Sequence, residues 1–163
     1  MARVPAATRE SIPQNLQEAY DAMVQGRGEP PRTGPGSIMI NSPEAYRRAS
    51  HFSEYLRRES TLSPKVQELA MLVTARENNC QYVWNAHAAS GKKTGLSAAL
   101  VDALREKRPL PSQTPEEGAV INYGQEFFQT RRVSRGSFQA ALEQFGVQGL
   151  SELTMLMGYY ALL

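Results

Sequence analysis

The stretch that decides the fold is "SPKVQELAMLVTARENNCQYVWNAH", residues 63–87. Ser63 is a typical N-cap residue, and Pro64 suits the first position of a helix. The segment 69–73 is apolar on every helical face. A helix without a polar face is typical of a buried position. We therefore predict that this first half of the stretch forms the central helix of the protein.

The second half of the stretch predicts another helix, from Cys80 to about Lys93, ending at Gly95. Asn79 is a favoured N-cap residue, which would place Cys80 in the first helical turn. There the free backbone N–H groups and the helix dipole favour a thiolate.

Capping signals and 3.6-residue periodicity predict further helices on both sides of this pair, including a capping box formed by Thr114 and Glu117. The additional predicted helices cover residues 11–26, 42–60, 96–107, 114–132, 134–146 and 150–163. The Pro/Gly-rich residues 27–41 are predicted to be a loop. No stretch of useful length alternates apolar and polar residues with a period of two, the pattern typical of β-strands. We therefore predict an all-α fold of seven or eight helices.

One domain, residues 1–163, is expected, with an N-terminal helix and loop in 1–41 and a helical core in 42–163.

The 18 basic and 16 acidic residues are interleaved, which disfavours a nucleic-acid partner. The single cysteine excludes an intrachain disulfide and a multi-cysteine metal site. Neither a secretory signal nor a membrane-spanning run is present. We expect a cytoplasmic protein without membrane contact, metal or cofactor.

The apolar ending "GYYALL", residues 158–163, would be exposed to water in a monomer. This pattern predicts either that the natural chain continues or that these residues are buried against another subunit.

Cys80, Val83 and His87 fall at positions i, i+3 and i+7 of the predicted second helix, so their side chains are expected to face one pocket. Taken singly, a cysteine or a histidine on such a helix is more often a packed core residue. Trp84 is most simply a core residue as well. Glu68, however, lies in the apolar run of the preceding helix, where a carboxylate needs a partner. Pairing with His87 would satisfy both, as an ion pair or as a proton-transfer couple.

The spacing of Glu68, Cys80, Val83 and His87 resembles the signature helix pair of the alkylhydroperoxidase D-like/carboxymuconolactone decarboxylase superfamily. The surrounding residues 56–97 are similar to the core of that superfamily, and weaker similarity continues through "FGVQGLSELTMLMGYY". The resemblance implies an all-α fold and obligate homo-oligomers, commonly trimers or hexamers.

The resemblance implies two chemistries. The peroxidase branch uses a Cys-x-x-Cys pair, with a glutamate and a histidine that relay protons. The decarboxylase branch lacks the thiol pair and acts on a lactone carboxylic acid. Here Val83 stands where the second cysteine would be, and the glutamate that many relatives carry there is also absent. A sulfenic acid formed on Cys80 would therefore need an external thiol to reduce it.

Three hypotheses follow for the function. The first is a decarboxylase-like lyase that acts by proton transfer on a small organic acid or lactone. In it His87 delivers the proton and Glu68 orients the imidazole ring. The substrate would contact the segment of Tyr82, Val83 and Trp84. Its carboxylate would be held by one of the arginines at positions 57, 58 and 76.

The second hypothesis is a thiol-dependent alkylhydroperoxidase, an antioxidant oxidoreductase of peroxiredoxin type, in which Cys80 is the attacking thiolate. The third is a non-catalytic helical oligomer whose site has lost its activity at Val83.

Overall fold

The computed structural model describes residues 4–163, and the regular structure in this range is entirely helical. Its eight α-helices confirm the all-α prediction. They are α1 (Gln17–Gln25), α2 (Gly34–Met39), α3 (Pro43–Glu54), α4 (Pro64–Glu77), α5 (Gln81–Lys93), α6 (Ala98–Glu106), α7 (Pro115–Gln129) and α8 (Arg135–Leu162). Two short 3-10 turns, Arg9–Ser11 and Gln14–Leu16, precede α1, and a π-helical turn, Tyr55–Glu59, follows α3. No helix in residues 4–163 is both long and apolar enough to cross a membrane.

The chain divides into two compact units, Met1–Tyr55 and Leu56–Leu163. The boundary between the two units follows α3. In the described part of the first unit, α3 packs against α1 and α2. One hydrophobic core cluster of this unit consists of Ala7, Ile12, Tyr20, Ile40 and Tyr46.

Two predictions for the first unit are wrong in detail. Residues 27–41, predicted as a loop, contain the short helix α2. The helix forms because Thr33 is extended at the N-cap and a proline occupies the first turn, where its missing N–H costs nothing. The first long helix begins at Gln17 instead of Ser11, because 3-10 turns occupy the residues between them.

In the second unit α4 is central, in contact with α5, α6, α7 and α8. Every residue from Val66 to Ala75 is buried, which confirms the prediction of a helix covered on all sides. The Ser63 hydroxyl oxygen accepts a hydrogen bond from the Val66 N–H, as expected of an N-cap residue. This central position lets α4 present Glu68 to a neighbouring helix without exposing it to bulk water.

The junction between α4 and α5 differs from the prediction. Asn79 adopts a left-handed conformation, with φ of 52°. Its N–H donates to the Arg76 carbonyl, and the Cys80 N–H donates to the Ala75 carbonyl at 2.8 Å. This is the Schellman motif, which ends a helix. Asn79 therefore terminates α4 and does not cap α5; Cys80 is itself the N-cap residue of α5, with no side-chain capping bond, and lies before the first turn.

The C-terminal segment was predicted as two helices. This prediction is confirmed: α8 consists of two helical segments that meet at a sharp kink at Gly146, where φ is 67° and the backbone is not helical. Glycine is favoured in this conformation because it has no Cβ to clash with the backbone. At the end of α8 the side chain of Tyr160 is buried, whereas Leu162 is 70% exposed. Burial of this end by another subunit stays a prediction.

Candidate functional site

The buried pair of Glu68 and His87 joins α4 to α5. Glu68 Oε2 lies 2.9 Å from His87 Nδ1, and each residue is less than one-tenth exposed. The helices come this close partly because α5 carries Gly91 one turn beyond the histidine. A Cβ atom on Gly91 would lie only 3.0 Å from Leu96 and 3.1 Å from Leu72. The contact between Glu68 and His87 that the sequence led us to expect is present.

The hydrogen bond orients the imidazole ring. With the carboxylate oxygen as the acceptor, Nδ1 is the donor of this bond, and Nε2 is the ring nitrogen that points away from it. Nε2 has no hydrogen-bond partner within residues 4–163. Arg76 Nε is the one fully enclosed side-chain polar atom there that lacks a partner. Nε2 therefore remains accessible to water, and the arrangement combines an oriented ring with an open basic nitrogen.

Tyr160, which the sequence reasoning missed, lies against this pair. Its ring meets the His87 ring edge-on, with centroids 5.2 Å apart and an interplanar angle of 81°. Burial raises the pKa of Tyr160, the charge of Arg57 partly offsets this effect, and the Glu68 carboxylate adds to it. The hydroxyl keeps its proton at neutral pH and has no hydrogen-bond partner in the described part of the chain. It is therefore available as a donor beside the pair.

Cys80 lies in a different environment. It is half-buried at the edge of an open pocket of about 170 Å³. The lining of this pocket includes Arg76, Asn79, Cys80, Gln81, Trp84 and Arg105. Neither Glu68 nor His87 lines this pocket, so it does not join Cys80 to the buried pair. The physical reason is the backbone of Cys80, whose φ of −87° and ψ of 89° are not helical. Helical spacing therefore does not carry its side chain to the face of His87.

The other predicted contact residues are divided between these environments. Val83 and Trp84 are buried, and Trp84 forms part of the Cys80 pocket. Tyr82 is 55% exposed and is not part of that pocket.

The three arginines proposed as carboxylate ligands are also separated. Arg57 is exposed on the π-helical turn and acts electrostatically on Tyr160. Arg58, on the same turn, is exposed. Arg76 belongs to the Cys80 pocket.

Residues 43–126, more than half of the chain, match the sequence model of the carboxymuconolactone decarboxylase family. The chain belongs to the carboxymuconolactone decarboxylase family. The matched segment of this family member contains Glu68, Cys80, Val83 and His87, and it ends before Tyr160.

The fold of this family member is similar to a solved structure described as an alkylhydroperoxidase AhpD core, an uncharacterized peroxidase-related protein from Ralstonia eutropha JMP134. The TM-score is 0.68 at 15% sequence identity, and the match covers 98% of this chain and 85% of the other. At this identity the likeness establishes the fold alone. A comparison with curated protein sequences gave no match.

Proposed function

We propose that this member of the carboxymuconolactone decarboxylase family is a lyase that transfers a proton to a small organic acid or lactone, with His87 as the acid–base residue. The observation that carries the proposal is the buried 2.9 Å hydrogen bond between Glu68 and His87, which leaves His87 Nε2 open. A purely structural ion pair does not need a solvent-accessible ring nitrogen. An acid–base residue does, because the nitrogen must contact the substrate.

The proposed chemistry is the loss of carbon dioxide from a lactone acid. The carbon–carbon bond to the carboxylate breaks, and its electron pair remains on the substrate as a dienolate. His87, which takes up a proton from solvent at Nε2, then donates this proton to carbon, while Glu68 stabilises the charged ring and keeps it oriented. The Tyr160 hydroxyl, which keeps its proton, donates a hydrogen bond to the enolate oxygen, where the negative charge develops.

The test uses a panel of small γ-lactone carboxylic acids, with release of carbon dioxide and incorporation of solvent deuterium into the product as the two readouts. Replacement His87→Gln removes the acid–base nitrogen, and kcat is expected to fall by a factor of about 10²–10⁴. Glu117→Gln is the matched control, because Glu117 of α7 forms a partly buried ion pair, at 2.7 Å, with Lys65 of the central helix α4. Full activity of the His87→Gln variant, or no turnover of any acid by the natural protein, would contradict the proposal.

A second candidate function is thiol-dependent reduction of a hydroperoxide. The observation that favours it is the position of Cys80, half-buried at an open pocket, because a small hydroperoxide can reach the sulfur atom there. The thiolate would attack the peroxide oxygen and release an alcohol, which leaves a sulfenic acid on Cys80. One external thiol would convert this acid to a mixed disulfide and water, and a second would release the free cysteine.

Peroxide loss separates this candidate from the first. The protein is mixed with an organic hydroperoxide and a small thiol, and the residual peroxide is measured over time. Peroxidase activity should disappear in the Cys80→Ser variant, since Cys80 is the only cysteine of the chain. Peroxide loss that persists in that variant, or none in the natural protein, would exclude this candidate.

The proposed active form is a homo-oligomer. Met155 and Leu162 expose apolar side chains on α8, 47% and 70% respectively, and α8 also supplies Tyr160 to the site. Light scattering is expected to give a multiple of the chain mass of 18.1 kDa. A mass of one chain at micromolar concentration would contradict this assembly.

A third possibility, a helical oligomer without activity, would be supported if both activity assays fail and the mass is that of an oligomer.

A further inference from the structure

We propose that the pocket at Cys80 is a binding site for a small oxyanion, a carboxylate or a phosphate group, separate from the Glu68–His87 pair. The proposal concerns binding, and it stands whether or not His87 transfers protons.

The first support is charge. Arg76 and Arg105 both line the pocket, and no acidic residue does. Within residues 4–163 neither guanidinium has a carboxylate partner, whereas Arg9, Arg47 and Arg108 each form an ion pair with a nearby acid. Two unneutralised guanidinium groups at one pocket attract an anion, and their planar geometry suits the paired oxygens of carboxylates and phosphates.

The second support is the orientation of Arg76. Its Nε atom is enclosed by the protein, so the Nη atoms are the ones that face an anion in the pocket. The neighbouring Nη1 atom is held by the Asn79 side-chain oxygen at 3.2 Å, which orients the guanidinium group. The arginine is thus positioned without being neutralised, as expected of a group that binds a ligand.

The third support is the start of α5. Cys80 is its N-cap residue and makes no side-chain capping bond, so the first backbone N–H groups of the helix are not satisfied by a side chain. These groups and the positive end of the helix dipole add to the attraction for an anion. The pocket volume of about 170 Å³ is below the range typical of drug-sized ligands and therefore suits a small molecule.

The only cysteine of the chain makes the proposal measurable, because alkylation of the protein reports on Cys80 alone. The rate constants for iodoacetate and for its neutral analogue iodoacetamide are measured by mass spectrometry. Both reagents form the same S–CH₂ bond and release iodide, so their ratio isolates the contribution of the carboxylate. We expect this ratio to be about tenfold higher at Cys80 than for a free cysteine peptide, since one charge-assisted hydrogen bond is sufficient for such a factor.

Variants assign the effect to the pocket. Arg105→Gln and Arg76→Gln should each lower the ratio, and the double variant should return it to the value of the free peptide. Lys93→Gln is the matched control, because it removes one positive charge from the other end of α5 and should leave the ratio unchanged. Arg105 is exposed, so its replacement keeps the test valid if Arg76→Gln impairs folding.

Competition identifies the anion. Acetate and inorganic phosphate are added separately, and protection of Cys80 from iodoacetamide is measured for each. Stronger protection by one of them assigns the preferred group. A ratio equal to that of the free peptide and insensitive to the arginine variants would overturn the proposal, as would a Cys80 that neither reagent modifies before the protein is denatured.

Discussion

The Glu68–His87 pair and the Cys80 pocket both involve α5, yet they are built on opposite physical principles. In the pair, two buried polar groups satisfy each other at 2.9 Å. In the pocket, Arg76 and Arg105 have no acidic partner in the described chain, and the cysteine is half-buried. Residues with the spacing of the family motif therefore need not form one site. The residue at which a helix begins decides which side chains lie on the same helical face.

The largest effect is expected from breaking the buried pair. Replacement Glu68→Ala leaves the Nδ1–H group of His87 without its acceptor, and we expect the free energy of unfolding to fall by about 3 kcal/mol. Arg105→Ala, at the rim of the Cys80 pocket, should change it by less than about 0.5 kcal/mol. Urea unfolding followed by circular dichroism measures both values. Equal effects of the two substitutions would remove the contrast between a satisfied pair and an open pocket.

A second test perturbs the distance between the helices that carry the pair. A Cβ on Gly91 would meet Leu96 and Leu72 at 3.0 and 3.1 Å, so Gly91→Ala should separate α5 from α4. We expect a loss of about 1–2 kcal/mol, because overpacking exceeds the gain in helix propensity.

The matched control for Gly91 is Gly118→Ala in α7, where the nearest atom would lie at an ordinary 3.5 Å. This substitution should be neutral or stabilising. A Gly91→Ala variant as stable as this control would mean that the close approach does not set the geometry of the pair.

The third prediction concerns the junction that separates the two environments. Asn79 has a φ of 52°, which an alanine adopts only with strain. Asn79→Ala should lower the free energy of unfolding by about 1 kcal/mol, whereas Asn79→Gly should retain most of the stability. If both variants are equally stable, the left-handed turn does not determine where α5 begins.

The last prediction concerns the Lys65–Glu117 ion pair, a structural counterpart to Glu68–His87 whose contribution depends on pH. Burial alone would raise the pKa of Glu117, but hydrogen bonds from Lys65 and from the Thr114 backbone outweigh it and lower that pKa. A lowered pKa stabilises the folded state above the ordinary glutamate value of about 4.3, and this stabilisation is lost as the pH falls through the folded-state pKa.

The free energy of unfolding of Glu117→Gln should therefore lie about 1 kcal/mol below that of the natural protein at pH 7. The two should converge as the pH falls through the folded-state pKa of Glu117, which lies below the ordinary glutamate value. Urea titrations at pH 7, 5 and 3.5 measure this difference. A gap that is constant with pH would mean that the charge of Glu117 does not contribute.

The sequence predicted what depends on local spacing. Apolar residues on all faces of α4 required a buried helix, and a carboxylate in that environment required a partner, so the contact of Glu68 with His87 followed. The position of Cys80 did not follow, because asparagine suits both an N-cap and a left-handed helix end, and only the hydrogen bonds of the junction separate these roles. Tyr160 was not predicted, since no spacing rule connects α8 to α5.

The position of Tyr160 in the chain has a consequence for biosynthesis. Glu68 and His87 are contributed by adjacent helices, so a ribosome delivers both long before it reaches α8. Their hydrogen bond can form while translation continues, but the aromatic ring that covers the imidazole is added only when α8 emerges and packs against α4. A nascent chain stalled within α7 would thus contain Glu68 and His87 but not yet Tyr160, so the contact of His87 with the Tyr160 ring is the last of these contacts to form.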